Sequence, residues 1–98
     1  MREYEVTIIV QPKLEETERN ELIARVSDWL VPAAEEANKP VENHWGSRRL
    51  AYPIRKFTDG YYVMYEAKLD STRIGEIERN MQYSEDLLRY MIVRKEEA

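Results

Sequence analysis

The chain has 98 residues and a net charge of −4, so it is long enough for one domain with a single core and lacks the strong positive charge of most nucleic-acid-binding proteins. The absence of Cys excludes disulfides and thiolate chemistry, and a single His excludes a histidine metal cluster. No apolar run has the length of a membrane span and the N-terminus lacks a signal-like apolar segment, so a cytoplasmic protein is predicted.

The first third of the chain predicts a strand followed by a helix. Residues 4–10 place apolar side chains on the even positions, as in a strand with one buried face. After Pro12, residues 15–30 predict a helix that ends before Pro32, and residues 33–37 could add a further turn. The apolar stripe of this helix consists of Leu22, Ile23, Val26, Trp29 and Leu30.

The middle of the chain predicts two long strands joined as a hairpin. Residues 41–54 read as one extended segment, and Thr58-Asp59-Gly60 is a turn signal before the aromatic run at 61–69. Strand alternation places Tyr65 on the core face with Val63. The opposite face of the same strand is formed by Tyr62, Met64, Glu66 and Lys68.

The last third predicts a second helix, capped by Asp70 or Ser71, and a final strand at residues 87–95 before a frayed tail at 96–98. The helix stripe is formed by Ile74, Ile77 and Met81, with Tyr83 as a further member. The order strand, helix, strand, strand, helix, strand is the split βαβ, or ferredoxin-like, arrangement. We therefore predict one α+β domain over residues 1–98, with two helices on one face of a four-stranded antiparallel sheet and the other face open to partners.

No pattern in the sequence predicts catalysis, a metal site or a cofactor. His44 has no nucleophile motif beside it, so an exposed strand residue is the simpler interpretation. The three glycines are dispersed and form no phosphate-binding loop. Acylphosphatases share the predicted fold, but the loop at 11–14 lacks the arginine that their phosphate cradle requires. The carboxylates near the helices predict solvated charge; they are Glu15, Glu16, Glu18, Glu35 and Glu36.

The charge is distributed unevenly along the chain. Residues 1–44 have five basic and ten acidic side chains, a net charge of −5. Residues 45–68 have five basic and two acidic side chains, a net charge of +3, and residues 69–98 have five basic and seven acidic side chains, a net charge of −2. The central segment interleaves cations with aromatic rings: Arg48, Arg49, Tyr52, Arg55, Lys56 and Phe57. Such a segment can contact phosphates and stack on bases, or it can protect a sheet edge from aggregation. The composition alone leaves both interpretations open.

Residues 45–56, with the sequence WGSRRLAYPIRK, closely resemble the signature of a bacterial family, ribosomal protein six of the small subunit. The Gly60-Tyr61-Tyr62 strand follows at the spacing of that family. The opening MREYE and the arginine-flanked final strand at 89–94 also match it, so the resemblance covers essentially the whole chain.

The resemblance implies a ferredoxin-like structural component of the cytoplasmic ribosome, without catalytic activity. Family members pair with small-subunit ribosomal protein eighteen, and the pair binds the central domain of small-subunit rRNA in the platform; neither DNA nor a membrane is an expected partner. An acidic protein can join an RNA particle when a basic partner neutralises phosphate. Carried over by position and by open-face location, the candidate RNA or partner contacts are Arg2, Tyr4, Arg48, Arg49, Tyr52, Lys56, Tyr62, Met64, Arg79 and Arg89. The alternatives are a ferredoxin-like module for protein interaction or ligand-binding regulation, and a small hydrolase of the acylphosphatase type.

Overall fold

In a computed structural model that describes residues 2–32 and 39–95, four antiparallel strands form one sheet in the order β2-β3-β1-β4. The elements are β1 (Arg2–Val10), α1 (Glu16–Leu30), β2 (Val41–Ile54), β3 (Phe57–Leu69), a 3₁₀ turn (Ser71–Arg73), α2 (Ile74–Gln82) and β4 (Leu87–Arg94). The predicted ferredoxin-like arrangement is therefore confirmed. The extra helical turn predicted at 33–37 and the frayed tail at 96–98 lie outside the described residues.

The main core lies between the two helices and one face of the sheet, called here the helix side. Even positions 4–10 of β1 and odd positions 63–69 of β3 are buried on this side, as their alternation predicts, together with the predicted stripe of α1, of which Trp29 is half-buried. From α2, Ile77 and Met81 are buried and Ile74 packs against the core, but Tyr83 is 80% exposed. The prediction that Tyr83 belongs to the stripe was wrong, because the helix ends at Gln82 and Tyr83 turns away from the sheet.

Two polar contacts fix the helices against the sheet and each other. The buried Tyr65 hydroxyl donates to the carbonyl oxygen of Ile23 at 2.7 Å, and burial raises the Tyr65 pKa, with a smaller contribution from Glu42. This hydroxyl therefore stays a neutral donor. The Arg73 guanidinium donates to the carbonyls of Trp29 and Leu30 at 3.1 and 3.3 Å, where the carbonyl end of α1 favours a cation.

The opposite face of the sheet, called the open face, carries a second and smaller cluster. Ile9, Leu50 and Leu88 are buried there, with Ile54, Phe57 and Tyr62 packed around them. Gly60 makes this cluster possible, because a β-carbon at position 60 would overlap Cγ2 of Ile9. The β2–β3 hairpin curls at its far end, since regular pairing is interrupted between Arg49 and Ile54.

The hairpin turn lies at Arg55–Lys56, not at the predicted Thr58-Asp59-Gly60. Arg55 and Lys56 have φ values of 49° and 71°, as expected for a two-residue type I′ turn, in which both central residues are left-handed. Residues 58–60 are part of β3. Gly60 misled the prediction because its small size serves the contact with Ile9 rather than a turn.

The left-handed conformation of Lys56 leads to a prediction about stability. We expect Lys56→Gly to raise the free energy of unfolding by about 0.5–1 kcal/mol, because a non-glycine residue is strained at this φ. Ala51→Gly in the adjoining strand should instead lower it by about 0.5–1 kcal/mol, through lost backbone entropy. Urea unfolding of both variants measures the two changes in the free energy of unfolding. A lower free energy of unfolding for Lys56→Gly would contradict the idea that the backbone is strained at this position.

Candidate functional site

A group of cations and aromatic rings crosses the open face at one level of the sheet. Gly46 pairs with Tyr62, Tyr62 with Ile9, and Ile9 with Arg89, so this row spans all four strands. Neighbouring strands are about 4.8 Å apart, which places the backbones of Tyr62 and Arg89 about 10 Å from each other. With the adjoining side chains of β2, this row forms a basic-aromatic patch consisting of Trp45, Arg48, Tyr52, Tyr62 and Arg89.

A bulge in β2 brings Trp45 and Arg48 to the same face of the sheet. The register shifts between His44 and Gly46, so that Trp45 is an extra residue in the pairing with β3. Gly46 has a φ of +83°, a conformation that side chains rarely adopt, and it allows the bulge to form. The Trp45 ring lies nearly parallel to that of Tyr62, with an interplanar angle of 12° and ring centres 6.5 Å apart, and the indole remains 46% exposed.

Arg48 and Arg49 lie on opposite sides of β2. Arg48 pairs with Gly60, and its guanidinium lies 5.7 Å from the centre of the Trp45 ring on the open face. Arg49 pairs with Asp59 and faces the helix side. Because adjacent residues of a strand point to opposite faces, the two arginines do not form one patch.

The rest of the basic-aromatic patch is fixed by contacts between the hairpin and β4. The Arg89 guanidinium lies 5.1 Å from the centre of the Tyr52 ring, which is 51% exposed. Arg55 donates to the carbonyl oxygen of Glu85 at 2.8 Å and so holds the hairpin tip beside the start of β4. Lys56 is exposed at the tip itself. These two contacts therefore hold the hairpin, with the cations that it carries, against β4.

Away from this patch, the open face becomes apolar and then acidic. The next row is Asn43, Met64, Thr7 and Met91, and the row beyond it is Val41, Glu66, Glu5 and Val93. Lys95 contacts the two carboxylates, at 3.0 Å from Glu66 and 3.8 Å from Glu5, and the hydrogen bond to Glu66 raises the Lys95 pKa. With Glu3 and Lys68 of the following row, three carboxylates outnumber two lysines here, so a small excess of negative charge lies opposite the basic end of the surface.

The remaining candidates lie elsewhere. Arg2 is exposed at the start of β1, and Arg79 is exposed on α2, so both are on the helix side. Tyr4 is only 7% exposed and belongs to the main core, which corrects its selection as a contact residue. Its position on an even, inward-facing site of β1 explains the burial. Met64 is half-buried within the apolar row.

His44 occupies a separate cluster on the helix side. Its Nδ1 lies 3.0 Å from the Tyr61 hydroxyl and its Nε2 lies 3.1 Å from a Glu42 carboxylate oxygen. The Arg19 guanidinium lies 4.0 Å from the centre of the Tyr61 ring. Through Tyr61 of β3, this cluster links the start of β2 to α1.

Four exposed apolar side chains of the open face were not among the predicted site residues. Val41 is 56%, Trp45 46%, Met91 57% and Val93 47% exposed. The alternation of β4, with Tyr90 and Ile92 packed against the core, could have revealed Met91 and Val93. The grouping of Trp45 with Arg48 could not be predicted in this way, because the bulge shifts the alternation of β2 between these two residues.

Residues 2–32 and 39–95 contain no group of three or more His, Asp or Glu side chains placed to hold a metal ion. Within the same ranges, no helix has both the length and the apolar character to cross a membrane.

Known proteins match this chain over nearly its full length. The family model described as Ribosomal protein S6 matches residues 3–94. The small ribosomal subunit protein bS6 of Halalkalibacterium halodurans is 39% identical over 97 residues, which cover 99% of this chain and 100% of that protein. The crystal structure of 30S ribosomal protein S6 from Thermotoga maritima matches with a TM-score of 0.84 and 27% identity, over 96% of this chain and 87% of that one.

Proposed function

The chain belongs to the ribosomal protein S6 family, a structural constituent of the small ribosomal subunit in the cytoplasm, and from this we propose that it binds the central domain of small-subunit rRNA as half of a heterodimer. The partner is small-subunit ribosomal protein eighteen, and the binding site lies in the platform. The role is structural and requires no catalytic step.

The division of the open face supports this proposal most directly. Its basic end carries Arg48 and Arg89 beside exposed rings, and guanidinium groups form strong charge-assisted contacts with phosphate. The chain as a whole has a net charge of −4, so contact with RNA must be local. A local basic surface on an acidic protein fits a component that shares phosphate neutralisation with a second protein.

The other end of the open face has the character of a protein interface. Met91 and Val93 are exposed beside the half-buried Met64, and Glu5 and Glu66 follow in the next row. Apolar area gives affinity, and the carboxylates favour a partner of positive charge. We assign this end to the basic partner protein.

The proposal predicts that rRNA binding depends on the partner. Alone, the protein should bind a central-domain rRNA fragment weakly, because its few exposed cations compete with its overall negative charge. Adding protein eighteen should restore tight binding. Filter binding at physiological salt, with and without the partner, measures the difference. Tight binding by the isolated protein would contradict a two-component mechanism.

The two arginines of β2 provide a sharper test within the same surface. We expect Arg48→Ala to weaken capture of the rRNA or of the partner by about 1 kcal/mol or more, as for a charge-assisted contact. Arg49→Ala is the matched control, because Arg49 faces the helix side, and it should mainly increase self-association. Binding and sedimentation are measured for each variant. Parent-like binding by both would move the RNA contacts to Arg2, Lys56 and Arg89.

A further inference from the structure

We infer that the indole of Trp45 is a stacking platform for one unpaired base of single-stranded RNA, with Arg48 holding the adjoining phosphate. This inference rests on the proposed RNA-binding function and names the feature of the RNA that the basic-aromatic patch recognises. The positive charge of the surface alone would predict neither a contact by Trp45 nor a preference for an unpaired base.

The ring geometry supports a platform. Aromatic rings in full contact lie about 3.5–4 Å apart, whereas the Trp45 and Tyr62 centres are 6.5 Å apart with nearly parallel planes. Parallel rings at that separation overlap only in part. Each ring therefore keeps uncovered π surface, and Trp45 remains 46% exposed.

The bulge fixes the position of this ring. Without the extra residue, the side chain at position 45 would not share the open face with Arg48 in the present register. Gly46 supplies the left-handed conformation that the bulge requires, and Tyr62 supports the indole from β3. A large aromatic side chain is thus held in place and exposed, as base stacking requires.

The charges around Trp45 favour RNA over protein at this end of the face. The Arg48 guanidinium lies 5.7 Å from the indole centre, and Arg89 lies in the same row of the sheet. The nearest carboxylates in the register of the open face, Glu5 and Glu66, are two rows away, and Glu3 lies one row further. A base on the indole would thus have its phosphates near cations and away from acidic groups. A duplex hides its base faces, so the ligand must be unpaired.

Nuclear magnetic resonance of the full chain tests the platform, because its two tryptophans give two indole N–H signals. The probe is a single-stranded oligoadenylate of about ten nucleotides, within the size range of single-strand sites. At low salt, the Trp45 signal should shift with saturation, whereas the half-buried Trp29 on α1 is the internal control. A duplex RNA of equal length should leave the Trp45 signal unchanged.

Two substitutions separate ring stacking from general apolar contact. We expect Trp45→Leu to bind the oligonucleotide about 5- to 30-fold more weakly, and Trp45→Phe to stay within about 3-fold of the parent, because Phe retains a ring. The slope of log binding constant against log salt concentration reports the number of phosphate contacts. Arg48→Ala should reduce this slope by about one contact, and Arg48→Lys should leave it unchanged.

Several outcomes would overturn the platform. They are an unshifted Trp45 signal with the parent, parent-like binding by Trp45→Leu, equal binding of duplex, or displacement of the oligonucleotide from Trp45 by protein eighteen. The last result would assign Trp45 to the protein interface. Sedimentation with small subunits tests the proposed function separately. Failure of the parent to sediment rejects that function, whereas sedimentation of the parent with no effect of Trp45→Leu on RNA binding rejects only the platform.

Discussion

Ile8→Ala is expected to lower the free energy of unfolding by about 2–5 kcal/mol, the range for removing a large aliphatic side chain from a packed core. Ile8 is fully buried on the central strand and pairs with Val63 on one side and Tyr90 on the other. Domains of this size are stable by about 5–15 kcal/mol, so one substitution removes a large share. Urea unfolding should show a lower midpoint and an unchanged slope.

Two controls make this measurement specific. Ile8→Val removes one methylene and should cost about 0.5–1.5 kcal/mol. Val93→Ala removes an exposed apolar side chain from the open face of the same sheet and should stay within about 0.5 kcal/mol of the parent. A loss below about 0.5 kcal/mol for Ile8→Ala would mean that the two faces of β1 are reversed.

Gly60→Ala is expected to lower the free energy of unfolding by about 1–3 kcal/mol, as for an overpacked core. The new methyl group would overlap Cγ2 of Ile9, and Cδ2 of Leu50 and the Val10 carbonyl oxygen lie 3.5 and 3.6 Å from the same position. Ile9 has little room to move, because it is buried in the second cluster with Leu50 and Leu88. Outside such a contact, replacing glycine with alanine usually stabilises a protein.

A double-mutant cycle isolates the contact between residues 60 and 9. Ile9→Ala removes Cγ2, so Gly60→Ala should cost less in that background, with a coupling of about 1 kcal/mol or more. Gly75→Ala is the matched control, because Gly75 lies in α2 and an added β-carbon there meets no atom within 4 Å. It should stabilise the protein by about 0.5–1 kcal/mol. Equal effects of the two glycine substitutions would contradict the close packing of the second cluster.

Most of the fold could be predicted because the chain follows simple periodicities. The alternation in β1 and β3 identified which side chains face the helices, and the order of the elements defined the topology. The predicted bounds of β2 agree with the structure, and those of α1 differ from it by one residue. What failed were features that depend on distant contacts. Glycine is typical of turns, but Gly60 is needed for close packing against Ile9. The actual turn at Arg55–Lys56 lacks the Asn or Gly that usually marks a turn of this kind.

The candidate site was predictable in its residue types but not in its grouping. The sequence drew attention to arginines and aromatic rings at 48–62, and the structure brings Arg48, Tyr52 and Tyr62 to one face with Arg89. Strand alternation alone requires the adjacent Arg48 and Arg49 to lie on opposite faces, as they do in the structure. The pairing of Trp45 with Arg48 on one face could not be predicted, because it depends on a one-residue bulge whose backbone geometry is set at Gly46.

The central position of β1 also determines when the protein can fold during synthesis. β1 is made first, but its partners are β3 and β4, and Tyr4 pairs with Arg94 near the other end of the described sequence. The sheet therefore cannot be completed until β4 has emerged from the exit tunnel. Pairings so distant in sequence raise the contact order and slow folding. During this interval the backbone groups on the β4 edge of β1 stay unpaired and its apolar face lacks full cover, and such exposed surface makes a growing chain prone to aggregation.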